Sequence, residues 1–478
     1  MKKISNYING KLVSAQSSNY LPVYDPSTGE QYAMAPDSQL EDVDIAYQAA
    51  LGSFSSWAGK STIERSAIMM RIADLIEANL ELLAQAESRD NGKPIALARS
   101  VDIPRSAANF RFFAHAITQF SSESHEMQGA INYTLRHPIG VVGTISPWNL
   151  PLYLFTWKIA PAIAAGNTVV AKPSEVTPMT AYIFSELCIK AGLPPGVLNV
   201  VHGDGVAVGA EITKHDGIKA ISFTGSTRVG REIAEVAAPM FKKLSLEMGG
   251  KNPSLVFADC DYDKMLEMTV RSSFSNQGQI CLCGSRIFIE AKIYERFKSD
   301  FVDQVNALSV GAPSAEDTDI GAIVSHAHYQ KVLSYIELAV EEGGKILAGG
   351  NSVRPAGYEG GWYIAPTVIE GLSHECRTNQ EEIFGPVVTI MPFETEDEVL
   401  HYANDVPYGL SCSIWTQHLS RANRLAKQIE AGIVWINTWM HRDLRTPFGG
   451  MKQSGVGREG GVEALRFFTE AKNVCIKY

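Results

Sequence analysis

Two cysteines stand two positions apart in a polar, glycine-flanked run, Gln277-Gly-Gln-Ile-Cys281-Leu-Cys283-Gly-Ser-Arg286. A sulfur there could serve as a nucleophile if it reaches the thiolate, because an unperturbed thiol of pKa ~8.5 is mostly protonated at pH 7. Packing is the plain alternative, since cysteine is among the most buried residue types. Cys-x-Cys is not the usual zinc spacing and no Cys/His pair follows it, so no metal is expected. A second segment, Leu246-Glu247-Met-Gly-Gly250-Lys251, sets a carboxylate before two glycines. It could act as a general base, or be a solvated glutamate beside a turn.

Three further segments could hold a nucleotide. Ser222-Phe-Thr-Gly225-Ser226-Thr-Arg-Val-Gly230 lies between a predicted strand and a predicted helix. Free N–H groups at a helix start attract phosphate oxygens, and a glycine lets the backbone come close. Gly203-Asp-Gly205-Val-Ala-Val-Gly209 approaches the dinucleotide fingerprint but has one residue too many. Lys172 and Glu175, in Val169-Val-Ala-Lys172-Pro-Ser-Glu175, could grip a ribose, with surface solvation as the alternative.

These groups need a scaffold. Ser38-Gln-Leu-Glu41 and Ser61-Thr-Ile-Glu64 have capping-box spacing and predict helices over 39–57 and 62–88. Gly92-Lys-Pro94 stops the second, and a third starts at Pro104 and runs through Ala116. From 139 onward, β-rich runs at 140–145, 168–171, 198–201, 219–223 and 244–246 alternate with helical ones. Alternation implies a parallel sheet covered on both faces, which binds ligands at the carboxyl ends of its strands. A second α/β region is predicted over 251–450, with strands at 286–290, 387–392 and 432–437. Residues 130–138 and 467–478 read as isolated strands whose open edges require a partner.

Composition excludes several classes. The 478 residues carry 42 Lys plus Arg against 52 Asp plus Glu, a net charge of −10 that argues against nucleic acid as a partner. A hydrophobic content of 45% excludes disorder. Seven scattered cysteines, an odd number, point to a reducing compartment. No apolar run follows Lys2 and Lys3, so no signal peptide is expected and the cytoplasm is the expected location. Residues 138–157 lack charge but are interrupted by Pro138, Gly140, Gly143, Pro147, Asn149 and Pro151, and read as buried core rather than a membrane span.

Pro147-Trp-Asn-Leu-Pro151, Lys172-Pro-Ser-Glu175, Phe223-Thr-Gly-Ser226, Leu246-Glu-Met-Gly-Gly-Lys251, Gly278-Gln-Ile-Cys281, Glu382-Ile-Phe-Gly-Pro386 and Pro447-Phe-Gly-Gly450 occur in this order across the chain. Together they resemble the NAD(P)-dependent aldehyde dehydrogenases. The resemblance implies an α/β fold of two Rossmann-type lobes with a small β arm. The NAD-binding domain would span 1–118 and 139–250, the catalytic domain 251–450, and an oligomerisation arm 119–138 and 466–478, giving a homodimer or homotetramer.

It also implies roles. Cys281 matches the nucleophile, Glu247 the base that activates water, and Asn149 the amide that joins the Cys281 N–H in stabilising the oxyanion. Cys283 stands where the family needs no thiol. Lys172 and Glu175 match the adenosine-ribose clamp and Ser226 the pyrophosphate contact, with Glu382 and Phe384 on the nicotinamide side. Ile145, Pro147, Trp148, Ser174, Gly205, Gly209, Phe223, Gly225, Val229, Met248 and Gly249 complete the implied NAD site, and Lys158 and Glu459 a proton path. Glu247 favours hydrolysis of the thioester over transfer to coenzyme A, and Glu175 would repel the 2′-phosphate of NADP.

Asp102-Ile-Pro-Arg105, Asn109-Phe-Arg-Phe-Phe113 and the loop from Asn437 through Arg442 and Arg445 to Gly450 resemble the branch that oxidises 2-aminomuconate or 2-hydroxymuconate 6-semialdehyde. There, residues matching Arg105 and Arg442 hold the substrate's distal carboxylate. Asp102 and Asp443 are the ion-pair partners that would make these arginines merely structural, and Arg445 fits that bracing role better. Met440 and His441 depart from the bulkier apolar residues of that branch. The alternatives are a broad-specificity or betaine aldehyde dehydrogenase, a cysteine hydrolase, and a non-catalytic protein on the same fold.

Overall fold

The computed structural model describes residues 1–478 as an α/β protein with two large sheets and four small ones of two or three strands. The first sheet is parallel at its centre. Its strands run Lys243–Glu247, Ala220–Thr224, Val141–Ile145, Thr168–Lys172 and Leu198–Val200 across the sheet. Chain order reverses beside Val141–Ile145, which lies between strands that follow it on opposite sides. That is the switch point of a doubly wound sheet, and the residues after Ile145 emerge into its crevice. Antiparallel edge strands that the sequence pattern did not reveal, Asn6–Ile8, Lys11–Val13 and Gly455–Val456, close the two sides.

Apolar clusters cover both faces of this sheet. One is built on the helices Thr62–Ala78, Ile103–Ala116 and Pro151–Ala164. The other packs Val43, Ala46, Ile212 and Ile233 against Ile145, Val170 and Ile221. Every residue of Pro151–Ala164 is buried, which accounts for the uncharged stretch over 138–157 as core. No helix is long and apolar enough to cross a membrane. The second sheet orders Lys345–Ala348, Thr367–Glu370, Val387–Phe393, Gly284–Glu290, Asn252–Val256, Ser411–Trp415 and Ile433–Ile436, all parallel except the first.

Four local expectations need correction. The helix predicted over 62–88 is two, Thr62–Ala78 and Leu80–Asn91, because Asn79 leaves helical geometry (φ −113°, ψ 25°) and donates its side-chain amide to the Leu75 carbonyl. Ser38 does not cap the first helix: its hydroxyl accepts from Asn6, and Gln39 is the cap, with its N–H donating to Asp42. The helix expected from Pro104 is already turning at Ile95 and passes through one π-helical turn, Ala98–Asp102. Finally, the two strands read as isolated pair with each other. Ala130–Pro138 runs antiparallel to Thr469–Lys477 over nine register pairs, and Ser124–Met127 adds a third strand.

Candidate active site

Cys281 sits between the turn Ser275–Gly278 and the strand Gly284–Glu290. Three consecutive residues in that turn are left-handed: Asn276 (φ 53°), Gln277 (φ 56°) and Gly278 (φ 70°). Holding two non-glycine residues there costs roughly 1–3 kcal/mol each, which only a tightly determined surrounding can offset. The surrounding is visible. Gln277 donates to the Ala322 carbonyl at 2.8 Å, Asn276 to the Asn149 carbonyl at 3.0 Å, and a Cβ on Gly278 would collide with the Gly385 carbonyl at 2.0 Å. The cysteine loop is thereby seated on the Glu382–Pro386 segment.

The half-buried Cys281 thiol forms part of a cavity of about 250 Å³ with Pro147, Trp148, Asn149, Gly225, Ser226, Met248, Gly249, Glu382 and Phe384. Ten expected site residues thus meet in one cleft, joined by Thr224, His328 and Lys331. Burial pushes the thiol up to about 12; the carboxylates of Glu382 and Glu247 add to the push and the Arg442 guanidinium opposes it. Cys283 turns away, its Sγ facing the Ser275 carbonyl at 3.8 Å among apolar neighbours. Asn149 donates one amide hydrogen to the Gln279 carbonyl at 2.9 Å, leaving the other free. The Cys281 N–H has no partner within the chain.

Glu247 ends the strand Lys243–Glu247 but does not line the cleft. Its two oxygens are buried without a hydrogen-bond partner, and Oε1 lies 2.6 Å from where a Cβ on Gly449 would stand. This explains Pro447-Phe-Gly-Gly450: at φ +153° and against that carboxylate, only glycine fits position 449. Burial, with the nearby negative charge of Glu459, pushes Glu247 well above the ordinary carboxylate range, while Lys158 and Arg458 pull it down. Behind it, Lys158 donates to Glu459 at 2.7 Å and to Ser222 at 3.2 Å, both ammonium and carboxylate being buried.

A nucleotide fits the remaining geometry. The Ser226 hydroxyl caps the helix Thr227–Ala237, accepting from the Val229 N–H, and so aims that helix start into the cleft. The Phe223 ring fills the space where Gly225 lacks a side chain, and Glu382 does the same at Gly249 while accepting from the Gly250 N–H at 2.9 Å. Over Gly205 there is nothing within 4 Å of a built Cβ, and over Gly209 only Lys172 at 3.8 Å and Ile145 at 3.9 Å. Lys172 pairs with Glu175 at 2.7 Å, and Ser174 closes their turn by accepting from the Val176 N–H. Trp148, His328 and Phe384 form an aromatic wall with centroids 5.0 to 6.1 Å apart. Burial pushes His328 down to about 4, so it is neutral at pH 7.

Neither anticipated ion pair forms at the two arginines. Asp102 is taken by the buried Lys93, and Asp443 by Arg445 at 2.6 Å. Arg442 donates to the Tyr153 hydroxyl at 2.9 Å and lies 4.2 Å from the Phe448 ring centroid; Arg105 stands 5.8 Å from the Tyr153 ring. Tyr153, which the sequence reading passed over as core, therefore gathers both guanidiniums on the helix that begins two residues after Asn149. Elsewhere His374, His401 and Asp405 cluster, with His374 facing Asp405 at 3.2 Å.

The model of the aldehyde dehydrogenase family matches residues 12–474. The chain belongs to the aldehyde dehydrogenase family. It is 50% identical to a 2-aminomuconic semialdehyde dehydrogenase from Danio rerio, over 99% of this chain and 98% of that one. It is 46% identical to a 2-hydroxymuconic semialdehyde dehydrogenase from Pseudomonas sp. (strain CF600), over the full length of both. The NAD+ complex of an aldehyde dehydrogenase from Bacillus cereus superposes with a TM-score of 0.97 at 39% identity, covering 100% of this chain and 97% of that one. The protein is an aldehyde dehydrogenase, with the α/β fold the sequence implied.

Proposed function

We propose that this aldehyde dehydrogenase uses NAD to oxidise a semialdehyde carrying a carboxylate at its far end, of the 2-aminomuconate or 2-hydroxymuconate 6-semialdehyde class, to the dicarboxylic acid. The observation that carries the reading is the pair of guanidiniums at Tyr153, neither of them in an ion pair with a carboxylate of the chain, although the charge of Arg105 is felt at Asp443. Guanidinium is a planar fork for carboxylate, and a charged hydrogen bond contributes about 1.5–3 kcal/mol. Cationic betaine aldehyde would be repelled there.

The chemistry follows from the residues. The Cys281 thiol releases its proton to water and adds to the aldehyde carbon as the thiolate, a minor form that the Arg442 guanidinium favours, forming a C–S bond and leaving an oxyanion. Asn149 and the Cys281 N–H donate to that oxyanion, each such donor contributing about 10²- to 10³-fold in rate. Lys172, Glu175, Ser226, Glu382 and Phe384 would hold NAD, whose nicotinamide supplies the hydride acceptor. Glu247 deprotonates the water that hydrolyses the Cys281 thioester, and Glu459 and Lys158 carry the proton away. Arg105 and Arg442 fix the substrate's other end.

The test is a rate comparison across 2-aminomuconate semialdehyde, 2-hydroxymuconate semialdehyde, betaine aldehyde and hexanal, each with NAD and NADP. Expected is a kcat/KM for one or both muconate semialdehydes at least about 10-fold above the others, with NAD preferred because Glu175 repels a 2′-phosphate. Equal rates with hexanal, or equal efficiency with NADP, would reject the corresponding part. The exposed strand Thr469–Lys477, at one edge of the three-stranded sheet it forms with Ala130–Pro138 and Ser124–Met127, is proposed to meet a second copy of the chain in a homodimer or homotetramer. Light scattering at micromolar concentration should show an oligomer, and a clean monomer would rule it out.

A further inference from the structure

Asn149 holds its side chain where the mechanism needs it only if its own backbone is fixed, and that backbone follows no regular element. It lies in the irregular stretch between the strand Val141–Ile145 and the helix Pro151–Ala164. Its carbonyl oxygen instead receives three donors from outside: the Lys93 ammonium at 3.1 Å, the Asn276 amide at 3.0 Å and the Asn91 amide at 3.4 Å. Asn91 also holds the preceding carbonyl, of Trp148, at 2.9 Å. Lys93 is fully buried between Asp102 and Glu87, the latter 3.8 Å away. Glu87 in turn accepts from the Leu152 N–H at 3.3 Å, at the other end of the same turn.

We propose that Lys93 is a positioning residue for the oxyanion amide of Asn149. A buried ammonium is costly unless compensated, and this one is placed with two carboxylates so that it can point a hydrogen at one main-chain oxygen. The same arrangement occupies Asp102, three residues before Arg105 on the chain, and so leaves that guanidinium without its nearest acidic partner in sequence. The left-handed Asn276 of the cysteine loop completes the clamp, so nucleophile loop and oxyanion donor are set by one carbonyl. Motion of a reacting group by about 1 Å can cost ~10²-fold, which sets the scale of the effect.

The inference rests on the oxyanion role proposed for Asn149, and a double-mutant cycle separates the two. Lys93→Met, Asn149→Ala and the double variant are compared in kcat for the semialdehyde and for hexanal, with cofactor binding and melting temperature measured alongside. Expected is a loss of about 10- to 100-fold for Lys93→Met on both aldehydes. In the double variant the loss should be no greater than for Asn149→Ala alone, because a residue that acts through Asn149 has nothing left to position. Additive losses, or wild-type kcat in folded Lys93→Met, would overturn the inference. Wild-type kcat in Asn149→Ala would instead overturn the oxyanion role and the inference with it. Should Lys93→Met fail to fold, the cycle is run with Lys93→Met/Asp102→Asn, which removes the charge pair together, and with Asn91→Ala; additivity with Asn149→Ala in these variants overturns it equally.

Discussion

Glu247→Gln is expected to lower kcat by about 10²- to 10⁴-fold while preserving a first turnover that releases about one reduced cofactor per active site. The reason is that Glu247 acts after the thioester forms, on the water that attacks it. The variant should therefore accumulate the acyl group on Cys281, visible by mass spectrometry after acid quench. Burial and the charge of Glu459 push its carboxyl well above the ordinary range. A base works only when ionised, so turnover limited by hydrolysis should rise with pH through that raised pKa and fall as pH drops below it. This limb should be absent from Glu247→Gln. The same shift has a sign for stability. A carboxyl held neutral by the fold contributes fully below its unfolded pKa, and that contribution is lost as pH rises through the raised value. The glutamine variant should consequently lose less stability than the wild type at alkaline pH. Absence of the first-turnover burst would mean that Glu247 acts earlier, and wild-type turnover would remove it from the mechanism.

How much of this was legible depended on the kind of signal. The central parallel strands were readable because short apolar runs alternate with helical ones, and the sheet covered on both faces followed from that pattern. The edge strands Asn6–Ile8 and Gly455–Val456 were not, since two or three residues leave no periodicity. Asn79 carried no breaker as strong as glycine or proline, so the helix break there was hidden. At the site, the local runs around Cys281, Glu247, Lys172 and Glu175 raised them as candidates with a plain structural alternative open for each, and only the ordered set of motifs gave them roles. Residues that act through a main-chain oxygen could not be found that way. Lys93 read only as part of a helix stop, and its contact with Asn149 spans 56 positions of sequence. Tyr153 lay inside an apolar stretch, and only the arrival of Arg442 from 289 positions away gives its hydroxyl a task. The ion pairs expected from proximity in sequence failed for a related reason. Asp102 and Asp443 are satisfied by Lys93 and Arg445, whose side chains reach them first in the fold.

Arg442→Ala is expected to reduce kcat/KM for a muconate semialdehyde by about 10²-fold, carried mostly by KM, and to change that for hexanal less than about threefold. The magnitude follows from the contacts that would be lost. Two parallel charge-assisted bonds to one carboxylate are together worth about 3 kcal/mol, and each ~1.4 kcal/mol is a factor of ten. The guanidinium is free to make them. It spends one N–H on Tyr153 and rests against the Phe448 and Trp157 rings. Its charge also opposes the push on the Cys281 thiol, so its removal should raise that pKa slightly and shift the alkaline limb of alkylation by iodoacetamide upward. Tyr153→Phe leaves the guanidinium in place but unanchored, and its effect should have the same substrate selectivity at a smaller size. Arg445→Ala, which removes only the exposed partner of Asp443, should leave both substrates unaffected. An equal loss on hexanal and on the semialdehyde would show that Arg442 braces the loop rather than reads the substrate, and the carboxylate specificity would then have to come from elsewhere.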